Sequence, residues 1–157
     1  MEDLDLYSKP GWYDALHAEG TAGWADWLKT LNDRHGNGGL RWLEPACGTG
    51  RFFPVLRRRG VRLTGYDRHP GAVAYARRRG DAVLGDMTSY CRPGAYDLAF
   101  CLLGSFRHLL SEGDARRHLG ARPRAARHGG RSGLGGAHVV RGGDDADCAA
   151  AEALRVD

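Results

Sequence analysis

The stretch Leu43-Glu44-Pro45-Ala46-Cys47-Gly48-Thr49-Gly50-Arg51-Phe52 constrains the fold of this chain more than any other. It predicts the end of a buried strand, a glycine turn and the first turn of a helix. The apolar lead-in is Leu40, Trp42 and Leu43, and Phe52-Phe53-Pro54-Val55-Leu56 carries the helix onward. Two glycines one residue apart let the backbone turn tightly and approach a ligand with no Cβ in the way. The helix behind them points its free N–H groups at that ligand. Glu44 separates the loop from a nucleotide cradle, because a carboxylate there repels a pyrophosphate and suits an ammonium or sulfonium. The dinucleotide fingerprint also wants a small residue three positions after its second glycine. Phe53 stands there and is expected to be too large for close helix–strand packing, and the lysine of a phosphate loop is missing. A nucleotide-binding oxidoreductase is therefore the less favoured alternative.

At 157 residues the chain is one domain at most, long enough for a real core. Nothing in it approaches the ~18–20 apolar residues of a membrane span. The acidic start Met1-Glu2-Asp3-Leu4-Asp5 is unlike a signal or transit peptide, so a cytoplasmic location is expected. Cys47, Cys91, Cys101 and Cys148 are scattered with no C-x-x-C pair, which fits a reducing compartment and neither a zinc site nor a disulfide framework. The seven histidines are equally dispersed, and no metal centre is expected. The net charge of +4 comes mostly from arginines at helix ends and in the C-terminal stretch. That distribution, shared by proteins from GC-rich genomes, argues against a nucleic-acid partner.

Residues 1–38 precede the first strand. Tyr7, Trp12, Tyr13 and Leu16, then Trp24, Trp27, Leu28 and Leu31, fall near helical spacing. Pro10-Gly11 and Gly20 punctuate them, and Gly36-Asn37-Gly38-Gly39 closes the region as a turn. Two amphipathic helices packing their aromatics onto the core are expected. The alternative is a cap over the site, with Tyr7 or Tyr13 on the cofactor or substrate. A first strand is expected over 40–46 and a helix over 50–59, ended by Arg57-Arg58-Arg59-Gly60. A second strand over 61–66 ends at Asp67, near the ~20-residue spacing of a ribose-binding acid. His69 is free to cap the helix Pro70–Arg79, which leaves Asp67 for a ligand. A third strand runs from 81 toward Gly85-Asp86-Met87, and the apolar run 96–103 reads as a central parallel strand. The alternation implies a Rossmann-like α/β fold, a doubly wound, mostly parallel sheet with ligands at the carboxyl ends of its strands.

Glu44-Pro45-Ala46-Cys47-Gly48-Thr49-Gly50-Arg51-Phe52 resembles motif I of the class I S-adenosylmethionine-dependent methyltransferases, small-molecule type. Gly85-Asp86-Met87 resembles the family's adenine-binding corner. Tyr96 to Leu103 resembles its motif IV, and Gly104-Ser105-Phe106-Arg107-His108-Leu109-Leu110 its S-x-x-[HY]-L segment. The resemblance covers about residues 38–119. It implies S-adenosyl-L-methionine as cofactor and a small-molecule methyl acceptor. It also implies that Glu44, Ala46, Cys47, Gly48 and Gly50 serve the methionine portion, Asp67 and Arg68 the ribose side, and Asp86 and Met87 the adenine. The backbone at Cys101 and Leu102 is expected to line the floor, and His108 is the candidate base for an oxygen nucleophile. Cys101-Leu102-Leu103-Gly104-Ser105-Phe106 lacks the [ND]-P-P-[YF] tetrad of base-amino methyltransferases, which disfavours nucleic-acid acceptors.

After Leu119 the pattern breaks. Residues 120–136 hold six glycines and four arginines with a single large apolar residue, Leu134. Out-of-frame reading of a GC-rich gene produces such a stretch, so truncation or frame disruption after about residue 119 is expected, with C-terminal strands missing or irregular. Ala137-His138-Val139-Val140 is the one expected remnant of a strand. The division is thus a helical cap (1–38), a cofactor-binding core (39–119) and an irregular segment (120–157). Without a paired fifth strand, the first strand is expected to have an open edge. A truncated, inactive cofactor binder is the other alternative.

Overall fold

The structure is a computed structural model that describes residues 9–90, 92, 95–102 and 138–141. Helices α1 (Pro10–His17) and α2 (Thr21–His35) lead into β1 (Arg41–Pro45), α3 (Phe52–Arg57), β2 (Arg62–Asp67) and α4 (Pro70–Ala76). The strands β3 (Asp81–Leu84), β4 (Leu98–Cys101) and β5 (His138–Arg141) complete the order. The sheet runs β3-β2-β1-β4-β5, with β3, β2, β1 and β4 parallel and β5 antiparallel to β4.

This topology corrects one expectation. β1 is not an edge strand: β2 pairs it on one side from Arg41↔Arg62 to Pro45↔Tyr66, and β4 on the other at Trp42↔Leu98 and Leu43↔Ala99. The remnant at His138–Arg141 does form a strand, placed outside β4, so part of 120–157 joins the core sheet. The chain steps outward from β1 through β2 to β3, then returns to the far side of β1. The point where the strand order reverses therefore lies between β1 and β4.

Period-2 alternation sorts the strand residues. Trp42, Leu63, Ala82, Leu98 and Phe100 join Leu28 and Leu31 of α2, Phe52, Phe53 and Leu56 of α3, and Val73 and Ala76 of α4 in one buried cluster. Phe100 meets Trp42 and Phe52 edge-on, with centroids 6.2 and 5.5 Å away.

Phe53 is a second correction. It fits because three glycines make room for it. A Cβ at Gly50 or Gly80 would overlap the Phe53 ring, and one at Gly65 would come within 2.9 Å of its Cζ. The space lacking at one loop position is supplied by a strand glycine and by the turn after α4.

The N-terminal helices differ from expectation too. Pro10 is the first residue of α1 rather than a break before it, a place where its missing N–H costs nothing. α1 buries none of its residues, and Trp12 and Leu16 are each 65% exposed. α2 packs with Ala25, Leu28 and Leu31, while its Trp24 stays exposed and Trp27 is only half-buried. Aliphatic side chains hold α2, and most of the aromatics stay off the core.

Candidate functional site

The glycine loop begins where β1 ends. Ala46 has φ +53°, a left-handed conformation that costs a non-glycine residue about 1–2 kcal/mol. Gly48 and Gly50, at φ +52° and +71°, adopt the same region without that penalty. The Cys47 N–H donates to the Tyr66 carbonyl at 3.0 Å, and the Gly50 N–H to the Cys47 carbonyl at 2.9 Å. The first bond fastens the loop to the neighbouring strand, and the second closes the turn within it. The Cys47 side chain is buried, and desolvation raises its thiol far above the usual range, so it stays protonated and packs as an apolar group.

Glu44 is buried at the carboxyl end of β1, and its Oε2 has no hydrogen-bond partner. Burial raises its carboxyl well above the usual glutamate range, Arg51 pulls the other way, and the nearby Asp67 adds to the rise. A buried polar atom left unpaired costs about 1–3 kcal/mol unless something arrives to pair with it. Burial thus favours the protonated carboxyl, and an approaching cation would favour its ionised form. An ammonium group satisfies the orphaned oxygen, so this donor set fits the amino end of a methionine-derived cofactor.

Asp67 ends β2, opposite Leu84 of β3. Its Oδ2 accepts the Gly48 N–H and its Oδ1 the His69 N–H, both at 2.9 Å. One carboxylate therefore joins the loop after β1 to the turn after β2. Each oxygen retains a second lone pair for a ligand hydroxyl. The helix cap falls to His69, whose Nδ1 accepts the Ala72 N–H at 3.2 Å. Arg68, beside it, is exposed.

β3 ends at Leu84, earlier than the sequence suggested, so Gly85, Asp86 and Met87 lie beyond the sheet. The Gly85 N–H still donates to the Asp67 carbonyl at 3.0 Å, which keeps this corner beside the previous one. Asp86 Oδ1 accepts the Thr88 N–H and hydroxyl at 2.7 and 2.5 Å, and those bonds hold its carboxyl below the usual range. Asp86 and Met87 are half-buried. Cys101 and Leu102 at the end of β4 bury their side chains. Tyr7 and His108 lie outside the described residues.

Tyr13 reaches this site from α1. Its ring approaches Gly48, whose added Cβ would sit 3.9 Å from Tyr13 Cε1, and it stacks on His17 at 4.2 Å. Asp14, which had no sequence signal of its own, gathers several partners here. Thr49 Oγ1 donates to Asp14 at 2.9 Å, Arg79 grips both oxygens of Asp14 at 2.8 and 2.7 Å, and the Arg51 guanidinium donates to the His17 carbonyl. Only the arginine run 77–79 hinted at a charge, and it read as a helix end.

A separate concavity of about 490 Å³ opens at the amino ends of the strands, lined by Arg41, Arg57, Arg62, Arg79 and Asp81 among others. Arg41 there is held by Asp97 through its Nε and Nη2, at 3.1 and 2.9 Å. It lies at the opposite end of the sheet from Glu44, Asp67 and Asp86. Among the described residues, no group of three His, Cys, Asp or Glu side chains could hold a metal ion. Nor, among them, is any helix long and apolar enough to cross a membrane.

Residues 43–130, more than half of the chain, match the methyltransferase-domain family. No curated protein matches the chain. Among solved structures it resembles DesVI of Streptomyces venezuelae, with TM-score 0.61 and 20% identity over 68% of this chain and 48% of that one. It also resembles KedS8, a sugar N-methyltransferase from a Streptoalloteichus species, with TM-score 0.60 and 24% identity over 68% and 46%. A third is CalS10 of Micromonospora echinaspora, an amino pentose methyltransferase solved with S-adenosylmethionine bound, at TM-score 0.57 and 22% identity over 68% and 48%. The chain spans about half the length of these relatives.

Proposed function

The chain belongs to the methyltransferase-domain family, and from that premise we propose that it transfers a methyl group from S-adenosyl-L-methionine to an N or O nucleophile of a small molecule. The observation that carries the reading is Glu44, buried with an unpaired oxygen beside two left-handed glycines at the reversal of strand order. When bound, S-adenosylmethionine supplies a methyl group already activated on a sulfonium for in-line displacement.

The chain's own work is binding, orientation and exclusion of water. Glu44 would accept from the cofactor's ammonium while Ala46, Cys47, Gly48 and Gly50 shape the backbone around the methionine portion. Asp67 would accept from the ribose hydroxyls with the lone pairs its backbone bonds leave, and Arg68 flanks that side. Asp86 would accept from the adenine amino group, with Met87 against the ring. The backbone at Cys101 and Leu102 would form the floor, and Tyr13, with Tyr7 before it, the roof. For an oxygen acceptor, His108 is the candidate base. The sugar and amino pentose substrates named for KedS8 and CalS10 favour an amine-bearing small molecule over a nucleic acid. The loss of any helix or strand pattern over residues 120–136 favours a second reading, in which the chain binds cofactor without turning over an acceptor.

Calorimetric titration of the full chain with S-adenosylhomocysteine tests the proposal, with NAD as the comparison ligand. Saturable binding of S-adenosylhomocysteine alone is expected. Its affinity should fall on the order of 100-fold in Asp67→Ala, which removes charge-assisted hydrogen bonds. A folded chain that binds neither ligand, or prefers NAD, would overturn the proposal. Binding without methyl transfer to any of a panel of amines and alcohols would favour the second reading.

A further inference from the structure

α1 raises a question that its sequence does not answer: it buries no residue, yet it lies against the glycine loop. An eight-residue helix is too short to persist by propensity alone. Apolar packing does not hold it either, because Trp12 and Leu16 face solvent. Its attachments are polar and converge on Asp14. Thr49, between the two loop glycines, donates to Asp14 Oδ1, and Arg79 donates to both Asp14 oxygens from beyond α4. The Arg79 guanidinium lies 5.0 Å from the Tyr75 ring centroid, so its side chain lies back along α4 and is braced before it reaches Asp14. One turn further along α1, Arg51 donates to the His17 carbonyl, and His17 stacks on Tyr13.

We infer that Asp14 is a positioning residue that latches α1 over the glycine loop, so that closure of α1 and occupancy of the loop are thermodynamically linked. The inference rests on the cofactor reading above. The bond from Thr49 makes the linkage direct, because Thr49 cannot keep Asp14 unless the loop holds the conformation that Gly48 and Gly50 give it. A ligand that fixes this loop therefore stabilises the latch, and the closed latch fixes the loop for the ligand, by the same factor. The partners are specific in chemistry. Arg79 supplies a two-pronged guanidinium, which an amide at position 14 matches with one acceptor instead of two. Closure brings the Tyr13 ring to Gly48, and that step excludes water from the methionine end of the site.

Hydrogen exchange on the full chain, with and without S-adenosylhomocysteine, tests this. In the native chain the ligand should slow exchange across residues 10–17. In Asp14→Ala that slowing should vanish, affinity should fall by roughly tenfold, and protection of the core strands should stay the same. Arg79→Ala should weaken binding by less than Asp14→Ala, which also loses the Thr49 bond, and the double variant should be no weaker than Asp14→Ala alone, because the Arg79 contact runs through Asp14. Should Asp14→Ala fail to fold, Thr49→Val removes a single bond at constant shape, and a roughly threefold loss is expected. Native affinity with native slowing of α1 in Asp14→Ala overturns the latch. If the native chain does not bind the ligand, the cofactor reading fails and the linkage with it. The latch geometry then stands or falls on whether α1 of the unliganded Asp14→Ala exchanges faster than the native helix.

Discussion

α1 and α2 adjoin in sequence and are held by opposite means. α2 inserts Ala25, Leu28 and Leu31 into the core, and its buried Asn32 donates to the Gly39 carbonyl at 3.0 Å just before the sheet begins. α1 contributes nothing to that core and is tied by a carboxylate, a hydroxyl and two guanidinium groups. Apolar burial is non-directional and hard to release, so it suits a scaffold. Polar ties are few, directional and replaceable by water, so they suit a part that opens. The contrast recurs within the loop, where Cys47 and Phe53 pack as scaffold while Glu44 buries a carboxyl oxygen with no partner.

The comparison is broken most forcefully at α2. Leu28→Ala should destabilise the chain by about 3 kcal/mol, whereas Leu16→Ala on α1 should change stability by less than about 0.5 kcal/mol. Urea unfolding of both variants checks this, and equal losses would remove the distinction between the helices. Next in size is Gly65→Ala, whose Cβ would press on the Cys47 side chain at 2.7–2.8 Å and on Phe53. A cost of about 2 kcal/mol is expected, typical of overpacking, and the double variant Gly65→Ala/Phe53→Leu should recover part of it.

A third effect concerns pH. The Glu44 carboxyl titrates higher in the fold than in the unfolded chain. Its contribution to stability is therefore full below the unfolded glutamate value of about 4.3 and is lost as pH rises toward the folded value. Asp14, Asp86 and Asp97 are shifted downward by their hydrogen bonds, and their stabilising effect is complete once pH exceeds their unfolded value of about 3.9. As pH rises above about 4.3 the native chain should thus lose stability relative to Glu44→Gln, by about 1.4 kcal/mol per unit at most. Parallel denaturation profiles over that range would contradict the assignment. The smallest effect is Ala46→Gly. Relief of the left-handed strain, less the entropy that glycine adds to the unfolded chain, leaves a gain of up to about 1 kcal/mol, read as a higher melting temperature.

Much of this was legible in the sequence because it is local. The strand–glycine–helix stretch, the acid ending β2 and the His69 cap each depend on residues within a few positions of one another. Where sequence reasoning went astray, the cause was tertiary. Phe53 looks too large until Gly65 and Gly80 arrive from other elements to make its slot. The first strand looks unprotected until β4 returns beside it. Trp12 and Trp24 sit at helical spacing, yet the apolar face they suggest is not the one that packs. Asp14 and Arg79 carry no pattern, since an ion pair between residues 65 apart leaves no periodic trace.

The most direct test of where the ligand sits is an amide NMR titration of the full chain with S-adenosylhomocysteine. The largest shifts are expected at Cys47, Gly48, Gly50, Arg68, His69 and Met87, with smaller ones along α1. Amides around Arg62, Gly80 and Asp81, at the opposite end of the sheet, should barely move. Shifts concentrated at that opposite end, or a spectrum unchanged at saturating ligand, would contradict it.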